Sequence, residues 1–164
     1  MRFTEAPTVD RTATFTAGAM QIVVDDTDGV APGYLIVGRP STVENVIVGA
    51  GDFTINVPNT AMVAVGERVT ATDIVTGASL IPAGTTVTAI SAFDSNTNTV
   101  AFSHLTTHGS AQAAVVFDAS PLFPAGTTVV ALAGLGKINI SAATEGGSAG
   151  ILGSPGVTVR FIQQ

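Results

Sequence analysis

Short runs of strand-forming residues, separated by turn-forming residues, recur along almost the whole chain. The runs are rich in Val, Ile, Thr and Phe, and the residues between them are mostly Gly, Pro, Asn and Asp. Stable helices need longer periodic segments, and the only stretch with modest helix propensity, Gly109–Ala114, is too short to form more than a turn. The pattern predicts an all-β fold, either an antiparallel sandwich or a small barrel with many short strands and little helix.

About a dozen strands are expected from this pattern. Gly and Asn between the runs can take positive φ and Pro presets φ, so the connections are predicted to be tight turns, the clearest being Asp25–Gly29, Ala31–Gly33, Gly49–Asp52, Asp94–Asn98 and Ser154–Gly156. The clearest strand candidates are Thr12–Thr16, Met20–Val24, Tyr34–Gly38, Val43–Val48, Phe53–Val57, Thr85–Ile90, Thr99–Ser103, Ala114–Phe117, Thr127–Leu132, Lys137–Ser141 and Val157–Ile162.

The first residues, Met1–Arg11, fall outside the alternating pattern. They are polar, include a proline and are expected to form an extended N-terminal arm that orders against a partner. Extended segments can add to an exposed sheet edge of another protein, so Arg2, Phe3 and Arg11 are candidate capsid-docking residues. A disordered tail is the alternative interpretation.

The rest of the chain, residues 12–164, is expected to form a single β-domain or two sub-modules that meet near residues 58–66. A Gly- and Ser-rich run at Glu145–Gly156 is typical of a long, pliable loop before the final strand.

One internal echo interrupts this otherwise non-repetitive chain. The sequence PAGTTV at Pro82–Val87 returns unchanged at Pro124–Val129, and each copy leads into a predicted strand. Pro82 and Pro124 fix φ at the start of the turn, and Gly84 and Gly126 bend it. The echo indicates either convergent turn chemistry or a decayed duplication.

The composition favours a protein that is covered by partners. Hydrophobic residues make up 46% of the chain but aromatic residues only 5%, and the charged fraction of 11% is less than half of the roughly 25% that is usual for globular proteins. Few charges remain to cover the surface, so we expect a homo-oligomer, with a trimer as the leading arrangement.

Charge and hydropathy argue against two classes of partner. The net charge is −6, and the one lysine and five arginines are dispersed, which disfavours nucleic-acid binding. No apolar run approaches the roughly 20 residues of a membrane span, and the N-terminus lacks the pattern of a signal peptide, so a soluble protein that is not exported by that route is expected. The absence of cysteine excludes disulfides, thiolate metal sites and cysteine nucleophiles.

The segment Val65–Thr107 resembles a module that recurs in phage tail, fibre and head-decoration proteins. The resemblance covers about a quarter of the chain and concerns turns and strands rather than chemistry. It implies a virion location without fixing the position. Its parts are Val65, Gly66 and Val69 of a V-G-x-x-V opening, Ile81–Val87 with Ile90 of an apolar turn and strand, the polar turn Asp94–Asn98, and the strand Val100–Ser103.

Two clusters of possible metal ligands occur in the sequence. His104 and His108 are four residues apart, but they follow a predicted strand rather than lie on a helix, and no zinc-protease Glu accompanies them. Asp25, Asp26 and Asp28 precede a glycine as in a calcium loop, but the terminal bidentate Glu is missing, and a solvated bend explains them better. Neither cluster predicts a metal site, and no cofactor is expected.

The sequence also lacks the motifs of common catalytic sites. No nucleophile elbow, phosphate-binding loop or dinucleotide fingerprint is present. Paired carboxylates could still meet in space, but no nucleophile has a recognisable base, so we do not expect an enzyme. A sugar-binding platform usually needs Trp or several Tyr, whereas the chain has no Trp and one Tyr.

The leading functional hypothesis is a head decoration, or cement, protein of a tailed phage, because a small acidic all-β chain with an extended arm is similar to such proteins. The resemblance implies a homotrimer on the outer surface of the head, bound to the major capsid protein or another virion protein. The alternatives are a tail-fibre or receptor-binding module and a tail, neck or baseplate component.

Overall fold

The computed structural model describes residues 7–147 and 155–164 and is almost entirely β-structure. Strands make up 51% of the chain and helix 2%, which confirms the all-β prediction. The strands form three antiparallel sheets with no closed barrel in the described ranges, so the arrangement is consistent with a sandwich rather than a small barrel.

The described residues form twelve strands and one short 3-10 helix at Ser120–Leu122. Side chains alternate between core and solvent along most strands, as the period of two requires. The strands are β1 (Thr8–Thr14), β2 (Gln21–Val24), β3 (Leu35–Gly38), β4 (Pro40–Val48), β5 (Thr54–Pro58), β6 (Arg68–Asp73), β7 (Val87–Ala92), β8 (Thr97–Phe102), β9 (Ser110–Asp118), β10 (Val129–Gly134), β11 (Lys137–Ile140) and β12 (Val157–Ile162).

The strands fall into two units. The outer unit comprises β1–β3 and β10–β12, which form one six-stranded sheet in the order β10-β11-β2-β1-β12-β3. The inner unit comprises β4–β9, which form two three-stranded sheets in the orders β7-β8-β5 and β4-β9-β6. Each unit has a separate hydrophobic cluster of buried residues.

The inner unit repeats the topology of the outer unit. Placed end to end, its two sheets read β7-β8-β5-β4-β9-β6. This is the order of the outer sheet when β4, β5 and β6 stand for β1, β2 and β3. In the same way, β7, β8 and β9 stand for β10, β11 and β12. The difference is that β1 pairs with β2, whereas β4 and β5 belong to separate sheets. The inner unit therefore looks like a second copy inserted into the first, between β3 and β10.

The repeated PAGTTV sequence occupies equivalent places in the two units. In both turns the first threonine is buried and its hydroxyl donates to the proline carbonyl, at 2.7 Å from Thr85 to Pro82 and 2.6 Å from Thr127 to Pro124. The second threonine's amide then donates to a serine hydroxyl at 2.9 Å in each unit. These shared contacts favour a duplication over convergent turn chemistry.

A second set of matched contacts lies far from this motif. Thr144 accepts a hydrogen bond from the amide of Ala19 at 3.0 Å, and Thr106 accepts one from Asp52 at 2.9 Å. Both threonine side chains are buried. Each also donates its hydroxyl to a backbone carbonyl, Thr144 to that of Thr16 and Thr106 to that of Gly49. Because these positions share little sequence, their agreement indicates that the whole unit is repeated.

The core residues also correspond. Phe161 and Phe117 are fully buried on β12 and β9, and Leu122 and Leu80 occupy the two connections that precede the repeated turns. The chain passes between the units at Gly38–Pro40 and Asp118–Ser120, where a side chain at Gly38 would overlap the carbonyl of Ala119. The segment 58–66 contributes to both clusters, with Val63 in the inner and Ala64 in the outer.

Two sequence-based expectations need correction. Thr8–Arg11, assigned to the arm, is the first half of β1, because those residues pair in register with β12 from Thr8↔Ile162 to Arg11↔Val159. Strand β6 was absent from the strand candidates. Residues 1–6 of the predicted arm and residues 148–154 of the predicted loop at Glu145–Gly156 lie outside the described residues.

The two equivalent turns should respond equally to mutation. Gly84 and Gly126 have φ of +84° and +81°, and a Cβ at either position would meet no atom within 4 Å. Gly84→Ala and Gly126→Ala should therefore each lower the free energy of unfolding by about 1–2 kcal/mol, the cost of a left-handed backbone for a residue with a Cβ. Urea unfolding measures both; a large effect at one glycine and none at the other would contradict the equivalence.

Candidate functional site

Of the predicted arm residues, only Arg11 lies in the described part of the chain. Its guanidinium donates to the backbone carbonyls of Asp26 at 2.8 Å, Asp28 at 2.6 Å and Asp10 at 2.9 Å. It also lies 3.7 Å from the Asp26 carboxylate. Arg11 therefore stabilises the turn after β2. Arg2 and Phe3 lie outside the described residues, and docking through these three residues stays a prediction.

The aspartates of the same turn organise its backbone. The Asp25 carboxylate accepts from the amide of Thr12, and the Asp26 carboxylate accepts from the amide of Asp28, both at 2.9 Å. His104 and His108 lie near neighbouring hydroxyls. Within residues 7–147 and 155–164, no three His, Cys, Asp or Glu side chains are grouped so as to hold a metal ion.

The remaining predicted positions, Pro82, Gly84, Pro124 and Gly126, form the two repeated turns described above, and Pro124 and Gly126 also line an open cavity of about 510 Å³ beside β3. No helix in the described part of the chain is long and apolar enough to cross a membrane.

Two equivalent hairpin tips carry exposed apolar side chains. Leu135, between β10 and β11, is 95% exposed, and Phe93, between β7 and β8, is 63% exposed. Leu135 has φ of +53° and is flanked by Gly134 and Gly136, so the tight turn holds the leucine at its apex. A solvated tip normally carries polar residues, so both tips are candidate contact surfaces.

The edge strands next to these tips are unusually apolar. β7 and β10 lie at the ends of their sheets, and neither contains a charged residue or a proline. Each carries a β-bulge, but Val130 and Leu132 of β10 are still 56% and 42% exposed. Edge strands without charges or proline are prone to pair with another chain.

A third feature separates the inner unit from its outer counterpart. Val43 of β4 lies opposite Val115 of β9, and Val46 lies opposite Ala113. Between these two pairs, β4 therefore has one residue more than β9. The extra residue forms a β-bulge in which Asn45 has φ of +59°. Such a bulge bends its strand, and in the described chain β4 forms a ladder with β9 alone, leaving the edge that faces β5 open.

The parted strands enclose an elongated slot, defined here as the space between residues 41–47 and residues 52–62. It consists of two adjoining cavities of about 530 Å³ and 300 Å³. Thr106 closes one end by bonding Gly49 and Asp52, and the Ser41 hydroxyl closes the other by donating to the Met62 carbonyl at 3.0 Å.

Both polar and apolar residues line the slot. Its charged lining residues are Glu44 and Asp52, both carboxylates, while Val46 and Ile55 line its core side. Ile47 stands at the rim with 74% of its surface exposed. None of these residues was predicted as a site, because the bulge that opens the slot is visible in the sequence only after β4 is aligned with β1.

The most perturbed ionisable group is Glu67, which lies where the two units meet. Only 1% of its surface is exposed, and its carboxylate accepts a hydrogen bond from the amide of Ala64. The pKa of Glu67 is raised to about 8, chiefly by burial; the hydrogen bond from the Ala64 amide lowers the pKa, and the nearby Asp118 charge raises it. The equivalent position in the outer unit is Tyr34.

Comparisons of the chain with known proteins found no relative. No family model matches the chain, and neither a curated protein nor a solved structure matches it.

Proposed function

We propose that this protein is a non-catalytic structural component of a tailed-phage virion, a decoration protein that binds and stabilises the assembled head. The observation that carries the proposal is the pair of uncharged edge strands, β7 and β10, each ending in an exposed apolar tip. Such surfaces are stable in water chiefly when another chain covers them.

The virion context rests on the resemblance of Val65–Thr107 to phage structural modules. In the fold this segment spans β6, β7 and β8, with Gly66 at φ +95° and Gly84 at φ +84° in its turns. It therefore includes one of the two apolar edges and its tip, Phe93. The resemblance and the exposed edge thus fall on the same part of the chain.

Stabilisation would act through mass action. A protein that binds the assembled shell more tightly than the free subunit shifts the equilibrium towards the shell, and many copies sum many small contributions. The same apolar tips would suit a tail-fibre or receptor-binding module, or a tail, neck or baseplate component. The choice between these depends on what the tips bind.

Replacing both tip residues tests the proposal. The double variant Phe93→Ser and Leu135→Ser should remain folded, because both side chains are exposed, but should lose at least about tenfold in affinity for purified capsids, given about 25 cal/mol for each Å² of apolar surface buried. Co-sedimentation with capsids measures binding. Val75→Ser is the control, because Val75 is 79% exposed but lies in the turn after β6 and not at either hairpin tip.

Three results are informative. Loss of binding in the double variant alone supports the proposal. Equal binding by all three proteins would show that the tips do not dock. Failure of the unmodified protein to bind capsids, combined with binding to host cells, would instead favour the receptor-binding alternative.

A further inference from the structure

An open cavity of about 510 Å³ lies beside β3, between this strand and the connection that leads to β10. We propose that residues 1–6 fold back over the end of the outer sheet and pack in this cavity of the same chain, with Phe3 inside it and Arg2 at its rim. The proposal does not rest on the proposed function, because it concerns a contact within one copy.

The insertion of the inner unit leaves this cavity open. In the inner unit the connection before the repeated turn covers the edge of β6, because the amide of Leu80 donates to the carbonyl of Ala71 at 2.9 Å. In the outer unit Leu122 is the counterpart of Leu80, but its amide donates to Ala119 at 3.0 Å, in the 3-10 helix. The edge of β3 therefore lacks the cover that β6 has.

The walls of the cavity offer apolar surface that is still accessible. They include four half-buried apolar side chains, those of Leu35, Val37, Pro121 and Pro124. Each of these keeps surface that a docked side chain can remove from water. A single aromatic ring would enter from the open side, so no strand ladder has to part to admit it.

The chemistry of residues 1–6 complements these walls. The segment reads MRFTEA, in which Phe3 is the one aromatic residue and Arg2 the one cation. Glu145 is the one charged residue among the described residues that line the cavity, and it is exposed. With Phe3 in the cavity, Arg2 would approach the Glu145 carboxylate, whereas Glu5 lies nearer to Pro7 and stays outside. An exposed ion pair of this kind adds little energy but favours one direction of packing.

The position of Pro7 brings the segment within reach of the cavity. The Pro7 carbonyl accepts from the amide of Gln163, and the neighbouring Ile162 lies opposite Leu35 of β3. Because β1, β12 and β3 are consecutive in the sheet, Pro7 and Leu35 are about 10 Å apart, two strand spacings. Residues 1–6 can extend about 20 Å, at roughly 3.3 Å per residue, so they can cross β12 and enter the cavity.

Tethering favours the chain's own segment over that of a second copy. A short connection gives a linked group an effective concentration on the order of millimolar. The segment of another copy competes only at the concentration of the protein in solution. At micromolar protein concentration the cavity therefore binds the segment of its own chain.

The contact also restrains any partner that uses the same residues. A second protein that binds through Arg2 and Phe3 has to displace both of them from the cavity. Such a partner succeeds only if it binds the segment more tightly than the cavity does. The packed segment is therefore an autoinhibitory contact.

An engineered disulfide tests the contact directly, because the chain has no cysteine of its own. The double variant Phe3→Cys and Ala125→Cys should form a disulfide within one chain under mild oxidation, because Ala125 is an exposed wall of the cavity. Non-reducing electrophoresis and peptide mapping distinguish this bond from one between copies. The control is Phe3→Cys with Val75→Cys, which should give at least about tenfold less disulfide, because Val75 is exposed in the turn after β6.

Tryptophan fluorescence provides the second readout, because the chain has no tryptophan either. The Phe3→Trp protein should emit at the shorter wavelengths of a buried indole. Its emission should be quenched by acrylamide at least about threefold less than that of the Thr4→Trp protein, because successive side chains of an extended segment point to opposite sides.

An intramolecular disulfide together with a protected tryptophan supports the inference. The inference is overturned if the Phe3→Cys and Ala125→Cys pair gives no more disulfide than the control pair, or if the disulfide joins two copies. Equal quenching of the Phe3→Trp and Thr4→Trp proteins overturns it as well. Neither measurement involves capsids, so each result leaves the test of the proposed function unchanged.

Discussion

A fragment comprising residues 40–118 is expected to fold by itself into a cooperatively unfolding β-structure. It contains β4–β9 complete, and its buried residues pack in a cluster that is separate from that of the outer unit. The chain enters at Pro40 and leaves at Asp118, which are paired neighbours, so excision leaves two adjacent ends. Lower stability than in the full chain is expected, because Glu67 and Ala64 lose their cover from the outer unit.

The reciprocal protein should fold as well. In the inner unit, the place where the insertion occurs in the outer unit is a short turn, in which the Asp73 carboxylate accepts from the amides of Val75 and Thr76 at 2.8 Å and 3.0 Å. Replacing residues 40–120 with the six residues Asp73–Ala78 should therefore close β3 onto the segment that precedes β10. Circular dichroism and thermal unfolding measure both proteins.

A fragment of equal length that ignores the boundaries is the matched control. Residues 66–144 include strands of both units but lack β4 and β5 of one and β1–β3 and β12 of the other. This fragment should be unfolded. If residues 40–118 are also unfolded, the two clusters depend on each other and the inner unit is not an autonomous insertion.

The fold class and most strands could be predicted because they depend on local chemistry. Turn residues and short β-branched runs alternate so regularly that most strand positions follow from them. Strand β6 could not be predicted from its sequence, because RVTATD has a charged residue at each end and mostly small residues between them. Its strand conformation follows from pairing with β9. The strand conformation of Thr8–Arg11 likewise depends on pairing, because its partner β12 lies at the other end of the chain.

The nested arrangement could not be derived from the repeated PAGTTV alone. Six identical residues predict equivalent turns, but they do not say which strands precede and follow each turn in space. Elsewhere the two units share only residue class, as with Phe123 and Ile81, or a single hydroxyl, as with Thr144 and Thr106. The topology is what reveals the repeat at those positions.

The candidate slot could not be predicted from the sequence for a different reason. One additional residue in β4 shifts its register, and neither Glu44 nor Asn45 looks unusual in a strand that reads VENVIV. Glu67 is similar, because the triplet Gly-Glu-Arg is typical of a surface turn. Its burial follows from long-range packing at the junction of the units, which no local pattern encodes.

Glu67 should make the protein less stable as the pH rises through neutrality. Its pKa is about 8 in the folded chain and near 4.5 when unfolded, so between these values the folded state keeps a proton that the unfolded state releases. The stabilisation is complete below about pH 4.5, falls as the pH rises, and is lost above about pH 8. At pH 7 the loss should be about 3 kcal/mol, at 1.36 kcal/mol per pKa unit.

Other carboxylates with shifted pKa values titrate outside this window. The Arg160 guanidinium donates to both oxygens of Asp10, at 2.7 Å and 3.0 Å, and lowers the pKa of that carboxyl. Hydrogen bonds from the amides of Thr76 and Val75 lower the pKa of Asp73. Both groups contribute stability that is lost towards acid pH, opposite in sign to Glu67, so a decline between pH 5 and 8 isolates the buried carboxyl.

Glu67→Gln is the decisive variant. Glutamine stays neutral at every pH and retains an oxygen that can accept from the Ala64 amide, so the variant should be more stable than the natural protein by about 3 kcal/mol at pH 7 and nearly unchanged in stability from pH 5 to 8. Urea unfolding at several pH values measures this, with the exposed Glu44→Gln as the control that should keep the natural slope. A slope that survives in Glu67→Gln would assign the pH dependence to other groups and show that Glu67 is ionised in the folded protein.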